Sequence, residues 1–200
     1  MRALAPALGS SAQLSADRAY RYVLWRIWGR GPLAVFVGLN PSTADEREDD
    51  PTIRRCVRFA RDWGFDGLAM VNLFAFRATD PRELRTSDDP IGPDNDVVLE
   101  RVCADAGIVV AAWGANRMAR DRAQDVVESE VLGGFSVLSL TASGHPLHPL
   151  YARASCVPRE PLTLRPMRLP ERPGPAQQTL ADASCNPKTP HVRSLEGADG

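Results

Sequence analysis

Asn40, Asn72, Trp113, His145 and His148 are the residues in this chain whose types and settings could do chemistry. They stand in four short motifs: Gly38-Leu39-Asn40-Pro41-Ser42, Val71-Asn72-Leu73, Trp113-Gly114, and Gly144-His145-Pro146-Leu147-His148-Pro149. A carboxamide just past a buried run can orient a water through its oxygen or donate to a ligand through its NH2. It can equally cap an Asn-Pro turn and do nothing more. Asn72 lies inside an apolar run, where an amide is unwelcome unless the adjoining loop or a ligand pairs with it. Glycine at 114 permits close approach of a loop or ligand, and Trp113 reads as wall or core. An imidazole set between prolines is held stiffly enough to face a reacting group. A single functional imidazole, His145, is expected. A His-x-x-His metal pair would need further ligands, so no metal and no cofactor are expected.

A second chemistry competes for the first motif. Asp45, Glu46, Glu48, Asp49 and Asp50 crowd the loop after Asn40. Carboxylates at a strand end can hold Mg²⁺ for a phosphohydrolase or nuclease, with Asp45, Asp49 and Asp50 as ligands. The bland alternative is a solvated loop supplying negative charge to a helix N-terminus. Arg54, Arg58 and Arg61, three and four residues apart, would form a stripe able to touch phosphates.

The strands and helices that carry these groups follow from hydrophobic pattern. Leu33 to Leu39, Gly67 to Leu73, Ile108 to Trp113 and Phe135 to Leu140 are short apolar runs suited to strands buried on both faces. Between them, Asp50-Pro51 is an N-cap with proline at the first helical position, and Ile53, Val57, Ala60 and Trp63 recur at helical spacing up to Gly64. Gly92-Pro93-Asp94 starts a second helix, and Ala115 to Val131 is a charged surface helix. The order β-α-β-α-β-α-β predicts an α/β fold: a three-layer α/β/α domain around a mostly parallel four-stranded sheet. Arg18 to Trp28 adds an N-terminal edge strand or hairpin. Every motif then falls at the carboxyl edge of the sheet, where open α/β folds build their sites.

The chain of 200 residues, 44% hydrophobic, suits one domain, placed at 17–151. Residues 1–16 are expected to be a loose lead-in. From 152 to 200, eight of the 17 prolines and no apolar period point to a disordered tail or an irregular coat on the domain. With 24 basic and 25 acidic residues, overall charge neither recruits nor repels a polyanion. The cysteines 56, 103, 156 and 185 have neither zinc nor cluster spacing and read as reduced thiols. Without a secretory signal or a run of about 20 apolar residues, a cytoplasmic protein with no membrane partner is expected. Its oligomeric state is left open.

Taken together, Gly38 to Asp45, Asp50-Pro51-Thr52-Ile53-Arg54-Arg55-Cys56, Val71 to Arg77 and Gly144 to Tyr151 closely resemble the family called domain of unknown function 1643. That family in turn resembles a distant branch of the uracil-DNA glycosylase superfamily. The resemblance implies a glycosylase-like fold and a hydrolase acting on the N-glycosidic bond of a nucleobase-containing substrate, DNA or a modified nucleotide. It carries the motif Gly-x-Asn-Pro onto Gly38, Asn40 and Pro41, with Ser42 beside them. Asn40 would position water, Asn72 would read the base, and His145 would stabilise the leaving group. Phe74 or Phe76 would stack on the base, and Trp113, Gly114 and His148 would complete the pocket. The segment after His145 departs from the superfamily's serine-rich wedge, which weakens DNA as the substrate. A catalytically silent nucleotide or nucleic-acid binding module is a third alternative.

Overall fold

The computed structural model describes residues 8–158 except 129–133. Its sheet has six strands: β1 (Gly9–Leu14), β2 (Arg21–Ile27), β3 (Leu33–Gly38), β4 (Gly67–Asn72), β5 (Ile108–Ala111) and β6 (Ser136–Val137), in the spatial order β1-β2-β4-β3-β5-β6. Strands β4, β3, β5 and β6 run parallel, as the alternation of runs and helices requires. The expectation of a four-stranded sheet with a separate edge is corrected here. β2 pairs antiparallel with β4 and is buried along its whole length, and β1 continues the sheet beyond it. β1 also occupies part of the stretch expected to be a loose lead-in. Residues 1–7 lie outside the described residues.

Alternation along the strands sends side chains to two apolar layers. Ala34, Phe36, Leu68, Met70, Val110 and Ala112 pack with Ile53, Cys56 and Phe59 of helix α1 (Pro51–Asp62). Val35, Val37, Ala69, Val71, Val109 and Ala111 pack with helices α2 (Asn95–Ala104) and α3 (Ala119–Glu128) on the other face. Helix α1 begins as its sequence dictates: the Asp50 side chain accepts from the Ile53 amide at 2.8 Å, and Pro51 occupies the first turn. Helix α3 is shorter at its start than expected, and the end expected at Val131 lies outside the described residues, as does Gly133. The fourth strand narrows to the pair Ser136–Val137. Leu140 and Pro146 then form an isolated bridge, and the Leu147 amide donates to Ser139 O, so residues 139–147 fold back as a hairpin.

Residues 152–158 do not leave the domain. The Ala152 carbonyl accepts from Arg55, and the Cys156 carbonyl accepts from the Trp63 indole, so this segment coats helix α1. The remainder of the expected tail, 159–200, with Cys185 and His191, lies outside the described residues. Cys56, Cys103 and Cys156 are free thiols. Among the described residues no helix is long and apolar enough to cross a membrane.

Candidate functional site

The chain leaves β3 toward helix α1 on one face and leaves the adjacent strand β5 toward helix α3 on the other. The two carboxyl ends therefore diverge, which is where an open α/β sheet opens a crevice. A cavity of about 210 Å³ lies there, lined among others by Gly38, Asn40, Asn72, Trp113 and His148. Its size suits a small ligand or one end of a larger one.

Asn72 closes β4. It is 2% exposed, and its Nδ2 has no hydrogen-bond partner. Asn72 lines the cavity, and its buried amide donor has no protein group to repay its desolvation. The strand end that carries it is fixed from behind. Asn95, fully buried at the start of α2, donates its Nδ2 to the carbonyls of both Asn72 and Leu73, each at 3.1 Å. Arg122 donates from Nε to Leu73 O and pairs with Asp96.

Asn40 works differently. Its Nδ2 donates to Pro41 O at 2.9 Å and Ala78 O at 2.8 Å, and the Ala78 amide returns a bond to Pro41 O. Both amide protons are thus spent on zipping two loops together, which leaves the Oδ1 acceptor as what this side chain can offer a ligand. The same zipper brings Ala78, Thr79 and Pro81 into the cavity wall, residues that no local pattern singled out.

His148 is the imidazole at the cavity. It precedes a short 3₁₀ turn (Pro149–Tyr151), and its Nδ1 accepts from the Leu150 amide at 3.3 Å, which assigns the proton of the neutral ring to Nε2. Burial pushes its pKa down, with nearby Asp50 opposing. Gly114, in a left-handed conformation (φ 76°), lies under the His148 Cβ. His145 does not line the cavity. Its backbone amide and carbonyl are tied to Thr141 in the 139–147 hairpin, so of the two histidines in the motif the second lines the cavity and His145, the one expected there, does not.

The remaining expected residues divide. Ser42 and Trp113 line the cavity, the latter packed edge-on against Phe135. Pro41 is buried beside it and contributes its carbonyl. Phe74 is core, and Phe76 packs edge-on against Tyr20, so neither of the expected stacking rings lines the cavity.

The acidic loop is largely consumed by structure. Asp45 and Glu46 face Arg18, Asp49 pairs with the buried Arg26 at 2.7 Å, and Asp45 also accepts from two backbone amides. Of the five carboxylates only Asp50 lines the cavity. Among the described residues no cluster of three or more His, Cys, Asp or Glu side chains is arranged to hold a metal. The arginine stripe is likewise engaged: Arg54 donates to Asp49 O, Arg58 pairs with Asp62, and Arg61 lies over the Trp28 ring.

A charged cavity residue also lacked a sequence signal. Arg21, the first residue of β2, is 2% exposed. Because β2 runs antiparallel to β4, its amino end meets the carboxyl edge of the parallel strands. Its Nη1 donates to Ala44 O at 2.7 Å, while its Nε has no partner. Burial lowers its pKa to about 10, opposed by Asp50 and reinforced by Arg77 and Arg26, so the guanidinium stays charged at neutral pH.

Residues 21–150 match the family model described as a protein of unknown function (DUF1643). The chain belongs to this family. The matched span runs from Arg21 to Leu150, so it contains every strand but β1 and all of the cavity-lining groups named above. No curated protein and no solved structure matches the chain.

Proposed function

We propose that this DUF1643 protein hydrolyses the N-glycosidic bond of a nucleobase-containing small molecule. Breaking that bond develops positive charge on the sugar and negative charge on the departing base, so catalysis needs a held water on one side and donors on the other. The Oδ1 of Asn40 and the carboxylate of Asp50 are acceptors able to hold the water. The Asn72 Nδ2 donates to a base carbonyl, and the His148 Nε2–H stabilises the leaving group as a neutral donor. Trp113 supplies an apolar wall.

The observation that carries this proposal is that Asn72, whose Nδ2 has no protein partner, lines the same cavity as Asn40 and His148. Chromatography of reactions with nucleosides, nucleotides and base-modified DNA should detect free base released by the full chain. His148→Ala should slow release about 10²-fold, the scale of losing one oxyanion donor, and His145→Ala should leave it near the wild-type rate. Release unaffected by both Asn72→Ala and His148→Ala would overturn the assignment. Saturable binding without turnover would leave a binding module in its place.

A further inference from the structure

The cavity holds more charge recognition than cleavage of a base requires. Arg21 presents a buried guanidinium whose Nε is unpartnered, and a buried cation is costly unless an anion or full hydrogen bonding compensates it. Among the described residues Asp50 is the one carboxylate lining the cavity, and its charge favours the Arg21 cation without closing an ion pair with it. Beside Arg21 stands the N-terminus of the twelve-residue helix α1. There Pro51 has no N–H and the Ile53 amide is taken by Asp50. The Thr52 amide occupies the one first-turn position left without an intrahelical acceptor. Thr52 and Arg21 line the cavity together.

We infer that Arg21 and the start of helix α1 form a subsite for the terminal phosphate of a nucleoside monophosphate, so that the substrate is a free mononucleotide. This rests on the reading of the cavity as a nucleobase site, since the anion attached to a nucleoside is its phosphate. With Arg21 only 2% exposed at the cavity wall, the one kind of group that could approach it is the end of a small ligand. An internal phosphodiester would have to bring chain on both sides of it into a cavity of about 210 Å³. The outer arginines that could follow a longer strand, Arg54, Arg58 and Arg61, are already engaged. Asp50 shares the cavity and opposes the phosphate, which gives the subsite a second signature: removing that carboxylate strengthens anion binding.

Calorimetric titration of the full chain with common deoxynucleosides, their 5′-monophosphates, inorganic phosphate and a short single-stranded oligonucleotide tests this. The monophosphates should bind about tenfold or more tightly than the nucleosides, as a charge-assisted contact requires, and inorganic phosphate should compete with them. Arg21→Gln should abolish the difference, and Arg21→Lys, which keeps charge without the fork, should reduce it. Asp50→Asn keeps an acceptor for the Ile53 amide and should tighten monophosphate binding, an effect that a damaged fold would not produce. Equal affinity for nucleosides and monophosphates, or oligonucleotide binding as tight as that of mononucleotides, overturns the inference. Base release without monophosphate preference removes the subsite and leaves the glycosidic reaction. Preference without release does the reverse.

Discussion

Gly38 stands directly opposite Asn72 in the parallel β3–β4 register, and a side chain on residue 38 would begin 2.7 Å from the Asn72 Oδ1. The glycine of the Gly-x-Asn-Pro motif therefore leaves the space in which the Asn72 amide lies. Two motifs more than thirty residues apart in the chain are one device in the fold.

Gly38→Ala should displace the Asn72 amide and cost about 1–3 kcal/mol as an overpacked contact. Asn72→Ala removes a donor that has no protein partner and should stay within about 1 kcal/mol of wild type while losing ligand binding. The double variant should be less destabilised than the sum of the two, since the clash is gone. Urea unfolding of the four proteins measures this. Strict additivity would mean that residue 38 does not act through Asn72.

Asn40 holds two carbonyls, so its substitution is structural as well as chemical. Asn40→Ala should cost about 2 kcal/mol for two lost hydrogen bonds. Asn40→Asp should cost more, because a carboxylate would face the carbonyls of Pro41 and Ala78 that now accept its protons. An Asp variant as stable as wild type would contradict the assigned amide orientation. Activity comparisons belong well below the melting point of the weaker variant.

Stability should fall on acidification through His148. Its pKa is lowered in the folded state from 6.5 by burial. The unfolded chain therefore takes up the proton first, and the contribution is fully present above about pH 6.5 and lost as pH drops through the folded value. His148→Asn, which keeps a cap for the 3₁₀ turn, should flatten the pH dependence between pH 7.5 and 5. An unchanged slope would locate the titration elsewhere.

Mg²⁺ should give no saturable rise in melting temperature, because Asp45, Glu46 and Asp49 are committed to Arg18 and Arg26. A saturable rise that disappears in Asp50→Asn would favour the phosphohydrolase alternative. Arg26→Met should instead cost several kcal/mol, since it strands Asp49 and the carbonyls of Trp25 and Asp45 that the guanidinium serves.

Much of the site was legible because it depends on local rules. Gly38, Asn40, Asn72 and Trp113 follow or end short apolar runs, and a parallel sheet collects such positions at one edge whatever the strand order. The choice between His145 and His148 was not legible. Both flank prolines in one loop, and only the hairpin that ties Leu140 to Pro146 and Ser139 to Leu147 turns the first away and delivers the second. Phe74 and Phe76 lie away from the cavity because the chain leaving β4 buries one in the core and pairs the other with Tyr20.

By itself the sequence determined the parallel alternation of strands and helices, the Asp50 cap of α1 and the two asparagines at strand ends, since period, capping chemistry and buried polarity act over a few residues. Tertiary structure alone decided that β2 enters the sheet antiparallel beside β4 and so carries Arg21 to the cavity. It also decided that Asn40 spends its protons on Ala78, drawing residues 78–81 into the wall. Strand direction and loop closure are set by which distant backbone groups find partners, and no local pattern of residue types encodes that pairing.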